Sequence, residues 1–430
     1  MFCAHFFVPW LRREYFRSTI KEKRDFSLYC AHFFVPSQQN QKTKEMGSVE
    51  IKRVETKADL KTFVEFHYDL YEGNEYDAPN LFSDEMFTLD KKRNAAFEFC
   101  EAEYFLAYKE GKVAGRIAAI INHKANERWQ RKSVRFGWID FVDDIEVSSA
   151  LFKAVEDYGR EKGMTEIIGP LGFTDFDPEG MLIEGFDQLG TMATIYNYPY
   201  YPQHMEQLGG WEKDNDYVEF KIYIPEQIPE KFAKIAQMIE KRYNLHARSL
   251  SMKEVQGGKG LEVFHLINET FKDLYGFSEL SDKQIKQYLD MYLRWADLNL
   301  IVAIEDWTTD DHKLVGVGIT LPSLSRAIQK CRRGRLLPFG WWHLIRALKF
   351  HKTDYVDLEM VGILPEYRTK GANALLFSYL IPWYQKYGFI WGESQVEMET
   401  NEKVQSQWQH LETEQHKRRR CYIKNLSTTE

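Results

Sequence analysis

The sequence from Asp354 to Gly388, DYVDLEMVGILPEYRTKGANALLFSYLIPWYQKYG, predicts a strand, a polar turn and a helix in succession. β-Branched and large apolar residues in a short run indicate a strand that reaches Ile363. Pro365 ends this strand because proline cannot donate a hydrogen bond to a neighbouring strand. Apolar residues at helical spacing then predict a helix that starts at Gly371. The segment therefore centres on a basic turn that contains a glycine.

A strand, a basic turn and a helix N-terminus together predict an anion-binding site, because free backbone N–H groups and the helix dipole both favour negative charge there. The turn resembles the phosphate loop of the Gcn5-related N-acyltransferases (GNAT), which follows the fourth strand as Gln/Arg-x-x-Gly-x-Gly/Ala and holds coenzyme A. The first four positions match, and Asn373 replaces the small last residue. The alternative is an ordinary strand-to-helix turn with solvated charges.

The resemblance implies that acyl-CoA, or acetyl-CoA, is the co-substrate and that no metal is needed. The residues expected to bind it are Gly362, Ile363, Arg368, Thr369, Lys370, Gly371, Ala372 and Asn373.

Length and composition limit the class of protein. A chain of 430 residues is too long for one ordinary core and predicts two domains. The net charge of -7 argues against bulk nucleic-acid binding, and no DNA partner is expected. Five scattered cysteines without a Cys-x-x-Cys pair indicate a reducing cytoplasm and predict neither disulfides nor a zinc site. No apolar run is long enough to span a membrane, so we expect a cytoplasmic protein, either soluble or membrane-peripheral.

Residues 1–45 differ from the rest of the chain. The heptapeptide Cys-Ala-His-Phe-Phe-Val-Pro starts at Cys3 and again at Cys30, with a basic stretch between the copies. One interpretation is a mis-assigned start codon, with true initiation at Met46. The other is a basic, aromatic tail that touches a membrane. In both cases we expect this segment to be poorly ordered.

The rest of the chain repeats one order of predicted elements: a strand, two helices, three antiparallel strands, a helix and a strand. This order is that of the GNAT fold. The fold class predicted is α/β (α+β), with two tandem GNAT-like domains at 46–227 and 228–430, each a mixed, mainly antiparallel sheet flanked by helices. The boundary is expected between Pro225 and Glu230. Two local predictions are a helical segment near 90–99 and a charged edge at 417–420.

The two halves differ where coenzyme A would bind. After its fourth strand the first half has three carboxylates, Asp143, Asp144 and Glu146, and no Arg-x-x-Gly. Acidic residues stabilise a helix N-terminus but repel a pyrophosphate. The second half is therefore the predicted acyl-CoA domain, and the first half is expected to shape the acceptor pocket.

The stretch 169–210 concentrates carboxylates and tyrosines among Gly and Pro turns, where general bases and hydroxyl-binding groups are sought. The alternative is a set of turn-capping aspartates and a tyrosine-lined interface. Gly169-Pro170, Glu184-Gly185-Phe186-Asp187 and Tyr196-Asn197-x-Pro199-Tyr200-Tyr201 resemble a bacterial tandem GNAT-fold family that includes ceramide synthases. The likeness covers about residues 49–426, and it implies N-acylation of an amine, with a long-chain sphingoid base as the best single acceptor.

Residues 322–352 form a predicted insertion that is basic and aromatic. Nine Lys or Arg and no Asp or Glu fall between His312 and Thr353. Within Lys330–Lys352, a helix from about Phe339 would place Trp341, Leu344, Ile345 and Leu348 near one face, with Arg346 and Lys349 opposite. Such a basic amphipathic segment suits an anionic membrane surface or an acyl-chain entrance. The alternative is an insertion packed on its domain with a solvated basic edge.

The resemblance also suggests catalytic groups. The base is often a carboxylate on the fourth strand, which implies Glu359 or Asp357. The acid is often a tyrosine in an Asn-led pattern that here starts at Asn401, but Trp408 occupies its place. An indole cannot deliver a proton as a phenol does. Three alternatives stay open: the thiolate leaves unaided, a tyrosine of the first half (Tyr196, Tyr200 or Tyr201) serves, or the site is not catalytic. Glu184 is a further candidate catalytic carboxylate from the first half.

Two other classes of function fit parts of the sequence. An aminoacyl-tRNA-dependent transferase also uses tandem copies of this fold, and the basic insertion would then contact RNA. A non-catalytic GNAT-fold binding protein is favoured by Asn373 and Trp408. The acceptor is otherwise a small-molecule or lipid amine.

Overall fold

A computed structural model describes residues 48–293 and 296–426, so the expectations for residues 1–45 fall outside the described residues. The chain builds one large mixed sheet with helices on both faces. Its strands are β1 (Glu50–Arg53), β2 (Cys100–Lys109), β3 (Lys112–Asn122), β4 (Ser133–Phe141), β5 (Glu166–Gly169), β6 (Met181–Glu184), β7 (Glu212–Tyr223), β8 (Leu245–Arg248), β9 (Ile301–Asp306), β10 (Lys313–Pro322), β11 (Tyr355–Ile363), β12 (Trp391–Ser394), β13 (Glu397–Met398) and β14 (Thr413–Asn425).

Helices connect the strands and cover both faces of the sheet. They are α1 (Lys57–Leu70), α2 (Phe82–Thr88), α3 (His123–Arg128), α4 (Ile145–Glu161), α5 (Tyr200–Leu208), α6 (Glu230–Tyr243), α7 (Met252–Glu254), α8 (Gly260–Phe271), α9 (Asp282–Tyr292), α10 (Ser325–Ile328), α11 (Gly340–Phe350), α12 (Pro365–Arg368), α13 (Asn373–Tyr387) and α14 (Glu402–Gln405). In the part of the chain described, none of them is long and apolar enough to cross a bilayer.

Local sequence explains where the main helices begin. Thr56 and Asp59 form a reciprocal capping box at the start of α1, and Ser281 with Gln284 does the same for α9. Asp144 caps α4 by accepting a hydrogen bond from the backbone N–H of Glu146. Each half buries apolar side chains on both faces of its part of the sheet, so the helices pack on the sheet as layers.

The two halves exchange strands in the middle of the sheet. The strand order is β1-β2-β3-β4-β5-β14-β7-β12-β11-β10-β9-β8. The last strand of the chain, β14, lies between β5 and β7, whereas β7 pairs with β12 on its other side. Each half therefore depends on a strand from the other for its central pairing. The predicted domain boundary near Pro225 stays a prediction, because the sheet is continuous across it.

Several predicted elements need correction. The helical segment expected near 90–99 is wrong: α2 lies earlier, and only a short 3-10 turn at Ala95–Glu98 follows, begun by the Asn94 side chain, which accepts from the Ala96 N–H. The charged edge expected at 417–420 is also wrong. Lys417 and Arg419 point into the protein from β14 and are almost completely buried. The strands β7 and β14 and the helix α6 were not predicted.

Candidate active site at the diverging strands of the second half

The parallel strands β11 and β12 separate halfway along their length. They pair from Tyr355 with Trp391 as far as Leu358 with Ser394. The chain then leaves β12 and forms β13, which pairs with β7 instead. On the β12 side, the residues of β11 from Glu359 to Ile363 therefore have no strand partner among residues 48–293 and 296–426. This opening in the sheet exposes backbone groups that a ligand could bind.

Glu359 lies at the point where the strands separate, and it is the extra residue of a β-bulge. On its other side β11 pairs with β10, where Ile319 is opposite Met360 and Thr320 is opposite Leu358, so Glu359 has no partner in the register. A bulge re-aims a side chain and is frequent beside active sites. The side chain of Glu359 is partly buried, and desolvation raises its pKa to about 7. A carboxyl with this pKa can exchange a proton near neutral pH.

Asp357, the other predicted base, lies deeper in the same strand. Burial raises its pKa well above the usual value, and the neighbouring Glu359 and Glu393 add to the effect. Its Oδ1 atom is buried without a hydrogen-bond partner within the described residues. A neutral carboxylic acid in this place suits a structural or hydrogen-bonding role more than that of a base.

A buried ion network lies beside these carboxyls, and it consists of Glu219, Glu393, Lys417 and Arg419. Glu393 is directly opposite Asp357 in the sheet register. The Lys417 ammonium contacts Glu393 and lies 3.2 Å from Oε2 of Glu219. Nε of Arg419 donates to Oε1 of Glu219 at 2.5 Å. Burial opposes ionisation of Glu219, but Arg419 and Lys417 outweigh it and lower its pKa to about 2.

The stretch that contains the predicted carboxylates and tyrosines covers this ion network from the first half. β6 pairs with β14, and Nη1 of Arg419 donates to the carbonyl oxygen of Ile195 at 2.5 Å. A Cβ atom at Gly180 would lie 2.8 Å from Cβ of Arg419, and one at Gly185 would lie 2.3 Å from the carbonyl oxygen of His416. These glycines let the first-half backbone pack directly on β14, so both halves enclose the site.

Several buried polar atoms around the opening have no hydrogen-bond partner in the described structure. They are Oδ1 of Asp357, both amide atoms of Gln395, Oε2 of Glu397 and Nη2 of Arg419. Each such atom costs free energy unless water or a ligand satisfies it. Their concentration on β11, on the segment after β12 and on β14 indicates a site for a polar group.

Glu397 is a functional candidate that the sequence analysis missed. It is buried beside the opening, and its Oε1 accepts a hydrogen bond at 2.9 Å from Nε1 of Trp408, the residue in the place of the expected tyrosine. Burial raises the pKa of Glu397 to about 7. The indole therefore does not replace the phenol itself, but it positions a carboxyl that can carry a proton. Only the fold brings Glu397 and Trp408 together. In the sequence, the tryptophan in place of the expected tyrosine was the one sign that this position differs from the family pattern.

The predicted phosphate loop, residues 368–373, has the backbone of an anion site. Gly371 has φ +84°, a conformation that L side chains rarely adopt. The backbone N–H groups of Ala372 and Asn373, at the start of α13, find no acceptor among the described residues. Lys370 stacks its ammonium 4.0 Å from the ring centre of Tyr367. Ala372 is completely buried, so the loop presents the Asn373 amide and one flexible cation at a helix N-terminus.

Arg368 forms two hydrogen bonds to backbone carbonyls, and its contact with acyl-CoA stays a prediction. Its Nε donates to the carbonyl oxygen of Ile363 at 2.7 Å, and its Nη2 donates to that of Thr270 at 3.2 Å. The guanidinium thus fixes the loop to the end of β11 and to α8. Gly362 is needed for packing, because a Cβ atom there would lie 2.5 Å from Oγ1 of Thr270.

Helix α6 packs against the loop with its apolar side and carries cations on its other side. A Cβ atom at Gly371 would be 3.4 Å from the side chains of Ile235 and Ile239, which lie on the inner side of α6. On the outer side of the helix, Lys234, Lys241 and Arg242 line a shallow groove. These cations were missed because α6 was not predicted.

The structure does not bring the other predicted catalytic residues to Glu359. The Tyr196 hydroxyl donates to the carbonyl oxygen of Phe186 at 3.1 Å, and the Tyr200 hydroxyl donates to that of Phe141 at 2.6 Å. Glu184 is exposed, with Oε1 3.6 Å from Nε of Arg418. All three residues belong to the surface or the packing of the first half, and their catalytic roles remain predictions.

The equivalent opening in the first half is filled by paired charges. There Asp140 is bonded by Nδ1 of His67 at 3.0 Å, Nε of Arg116 at 2.7 Å and the hydroxyl of Tyr201 at 3.1 Å. Burial disfavours the charged imidazole, but Asp77 and Asp140 raise the pKa of His67 to about 10. The cavity beside them is only about 30 Å³, enough for water. The sequence of this half has no Arg-x-x-Gly loop after its fourth strand.

Metal ligands are not a feature of the described part of the chain, where no group of three or more His, Cys, Asp or Glu side chains could hold a metal ion.

Comparison with known proteins identifies relatives along nearly the whole chain, although no protein-family model matches. The chain is 28% identical over 332 residues to the bacterial ceramide synthase of Caulobacter vibrioides (strain NA1000 / CB15N), covering 75% of this chain and 82% of that protein. It is 26% identical over 378 residues to Protein YghO of Escherichia coli (strain K12), covering 86% of this chain and 94% of that protein.

Solved structures show the same fold. A tandem GNAT protein from the clavulanic acid biosynthesis pathway has a TM-score of 0.51 at 11% identity, covering 89% of this chain and 100% of that chain. A GCN5-related glucosamine N-acetyltransferase region of a fungal multi-domain GH3 β-N-acetylglucosaminidase has a TM-score of 0.52 at 12% identity, covering 88% of this chain and 38% of that chain. The comparisons confirm the predicted tandem GNAT fold and the likeness to bacterial ceramide synthase, and they support an acyltransferase enzyme.

Proposed function

We propose that this tandem GNAT-fold chain transfers an acyl group from acyl-CoA to the nitrogen of an amine. The observation that carries the proposal is Glu359. It is the bulge residue where β11 and β12 separate, its pKa is about 7, and the same strand leads directly into the glycine turn at Gly371. A proton acceptor and an anion site are thus connected by one short segment.

Acyl-CoA would bind along the opening between the strands. The backbone N–H of Asn373 would donate a hydrogen bond to the pyrophosphate, and Lys370 would add charge. The unpaired edge of β11 beyond Glu359 would bind the extended pantetheine arm through backbone hydrogen bonds. The first half has an equivalent opening but no Arg-x-x-Gly loop, which supports one acyl-CoA site per chain.

Two carboxyls would move the protons. Glu359 would take a proton from the bound ammonium, so that the neutral nitrogen can attack the thioester carbonyl carbon. Glu359 would pass that proton to solvent before the attack, and it would accept the second proton of the nitrogen as the C–N bond forms and the C–S bond breaks. Glu397 would then protonate the departing thiolate, with Trp408 fixing its orientation. Burial gives both carboxyls the near-neutral pKa that these opposite roles need.

The acceptor proposed is a long-chain amine of the sphingoid type. The name of the Caulobacter relative suggests this class. The unpartnered atoms of Asp357, Gln395 and Arg419 would bind hydroxyl groups near the amine. We expect the reaction in the cytoplasm, where acyl-CoA is found and where the buried thiols of Cys100, Cys331 and Cys421 stay reduced.

The test is an assay of the full chain with palmitoyl-CoA and a panel of amines that includes sphinganine, short alkylamines and amino sugars. Thiol release and mass spectrometry of the N-acyl product are measured together. Release of coenzyme A with one acceptor class, insensitive to ribonuclease, is expected. Activity only with aminoacyl-tRNA, or ligand binding without turnover on any amine, would contradict the proposal.

A further inference from the structure

We propose that the exposed aromatic surface of the insertion docks this protein on an anionic lipid bilayer. This docking surface consists of Leu337, Phe339, Trp341, Trp342 and Phe350. Their exposed fractions are 77%, 72%, 42%, 45% and 56%, whereas large apolar side chains elsewhere in the described residues are seldom exposed and lie scattered. So dense an apolar group on a surface marks an interaction site.

The docking surface is held rigidly. Leu344, Ala347 and Leu348, on the inner face of α11, are buried against α10 and pack with Leu81 and Met192 of the first half. This corrects the predicted face, because Trp341 lies on the exposed side and not with Leu344. The two indole rings contact each other at 5.9 Å between centroids. The exposed rings therefore form a fixed cluster on a well-packed helix.

Two arginines attach the insertion to the first half. Nη1 of Arg333 forms a short contact with Asp69, and Nη2 of Arg335 lies 2.6 Å from Oε1 of Glu65, both on α1. A Cβ atom at Gly334 would clash with the Tyr68 hydroxyl at 2.6 Å. The insertion thus bridges the halves, and the orientation of the docking surface is set by the whole fold.

Unpaired cations surround the docking surface. The exposed side chains of Lys330, Arg332, Arg346, Lys349 and Lys352 form no ion pair with any residue in the described ranges. No acidic residue occurs between His312 and Thr353. Anionic headgroups would complement these charges, while the aromatic and aliphatic side chains enter the interfacial region.

A bilayer explains the surface better than RNA does. Leu337 and Phe339 are its most exposed members, and an aliphatic side chain gains nothing from base stacking. The net charge of -7 also repels an extended polyanion, whereas a membrane meets only one face of the protein.

The docking surface is connected to the candidate active site. The insertion starts at Ser323, whose backbone N–H donates to the carbonyl oxygen of Tyr355 at 3.0 Å, two residues before Asp357. Docking would hold the opening of the site near lipids that carry an amine. The position of the site near amine-bearing lipids rests on the proposed function, whereas the docking itself does not.

The test is co-sedimentation of the full chain with vesicles of phosphatidylcholine alone or mixed with phosphatidylglycerol, without acyl-CoA or amine. We expect binding to the mixed vesicles that weakens with salt. Trp341→Ala with Trp342→Ala should reduce the affinity at least tenfold, and Arg346→Glu with Lys349→Glu should do the same. Trp307→Ala with Ile390→Ala, and Lys153→Glu with Lys283→Glu, are the matched controls, which change exposed residues elsewhere and should bind as the wild type does.

Leu337→Ser with Phe339→Ser is the second variant, since these side chains are the most exposed and their loss should leave the melting temperature unchanged. Failure of the wild type to bind either vesicle would overturn the proposal, as would unchanged binding of both apolar variants. Tight, salt-dependent binding of tRNA in place of vesicles would overturn it too and assign the surface to RNA. Because no substrate is present, these outcomes are independent of the acyltransferase assay.

Discussion

The ammonium of Lys417 lies 3.2 Å from the carboxylate of Glu219, a residue 198 positions earlier in the chain, and both side chains are almost completely buried. Glu219 belongs to β7 and Lys417 to β14, the two strands that the halves exchange. A buried ion pair stabilises little compared with an apolar pair, but removal of one partner leaves an uncompensated charge. The pair therefore joins the two halves through a buried charge pair at the centre of the sheet.

Loss of the charge on Glu219 is predicted to destabilise the protein strongly. Glu219→Gln leaves Lys417 and Arg419 without their shared carboxylate and should lower the free energy of unfolding by about 3–5 kcal/mol. Denaturant titration at pH 7 measures it. Glu184→Gln, at an exposed carboxylate on the neighbouring strand, should cost less than about 1 kcal/mol. Equal effects of the two changes would contradict the importance of the ion network.

The same pair predicts acid sensitivity. The pKa of Glu219 is lowered to about 2 in the folded chain from an ordinary value of 4.5. Its stabilising contribution is therefore present above pH 4.5 and is lost as the pH falls towards 2. The wild type should lose stability over this range more steeply than Glu219→Gln, as measured by denaturant titration at several pH values.

Strand exchange predicts that the halves do not fold alone. Residues 46–227 expressed separately would lack β14 between β5 and β7, and residues 228–430 would lack β7 beside β12. Each exposed, unpaired strand edge promotes aggregation. Separate expression should give insoluble protein, and co-expression should give a soluble complex with the circular dichroism of the full chain. Two soluble, cooperatively melting halves would refute the coupling.

The sequence predicted most of the fold, and its failures have a common physical cause. Apolar patterns located β11 and α13 to within a few residues. They failed at β14, because the inward positions of that strand are Lys417 and Arg419, and a periodicity argument assigns charges to the surface. Their neutralising partner, Glu219, is remote in sequence. Helix α6 had a readable apolar pattern, with Phe232, Ala236 and Ile239 buried, and was overlooked.

Glu359→Gln is predicted to lower kcat at least tenfold with little change in KM, because the amide keeps the shape but cannot accept the proton. The wild-type rate should rise with pH through about 7, and the variant should lack this limb. Steady-state kinetics across pH measures both effects. Unchanged kinetics would remove Glu359 from the mechanism.

The same substitution should stabilise the protein at alkaline pH. Because burial raises the pKa of Glu359 from 4.5 to about 7, its contribution to stability is full below pH 4.5 and is lost as the pH rises through 7. Glu359→Gln should exceed the wild type in stability at pH 8 by up to about 3 kcal/mol. At pH 4 the two should be equal, as measured by denaturant titration.

Glu397→Gln is predicted to slow thiolate departure. The rate of the wild type should fall again at alkaline pH as this carboxyl, with a pKa of about 7, loses its proton. In the variant the alkaline limb should be missing and kcat should fall at least tenfold. A thioester with a more acidic leaving thiol should restore part of the rate, and an absence of rescue would exclude the acid role.

The candidate site was only partly predictable. The fourth-strand carboxylates and the glycine loop are contiguous in sequence, so a local motif identified them. Glu397 with Trp408, the ion network and the cations of α6 come together only through strand exchange and helix packing. Tyr196 and Tyr200 were predicted as catalytic candidates from a sequence pattern. Such a pattern does not reveal that both hydroxyls donate to backbone carbonyl oxygens in the folded chain.

The most direct measurement is thermal unfolding of the chain from Met46 onward with coenzyme A, acetyl-CoA and sub-micellar palmitoyl-CoA, for the wild type, Gly371→Glu and Gly388→Glu. Gly388 is the matched control, since its φ of +79° resembles the +84° of Gly371 and it lies at the other end of α13 in open space. A ligand at about a hundred times its Kd adds about 2.7 kcal/mol, which is several degrees. The account predicts stabilisation by palmitoyl-CoA beyond that by coenzyme A, abolished by Gly371→Glu and kept by Gly388→Glu. No shift with any of the three ligands, or equal loss in both variants, would contradict an acyl-CoA site on this loop.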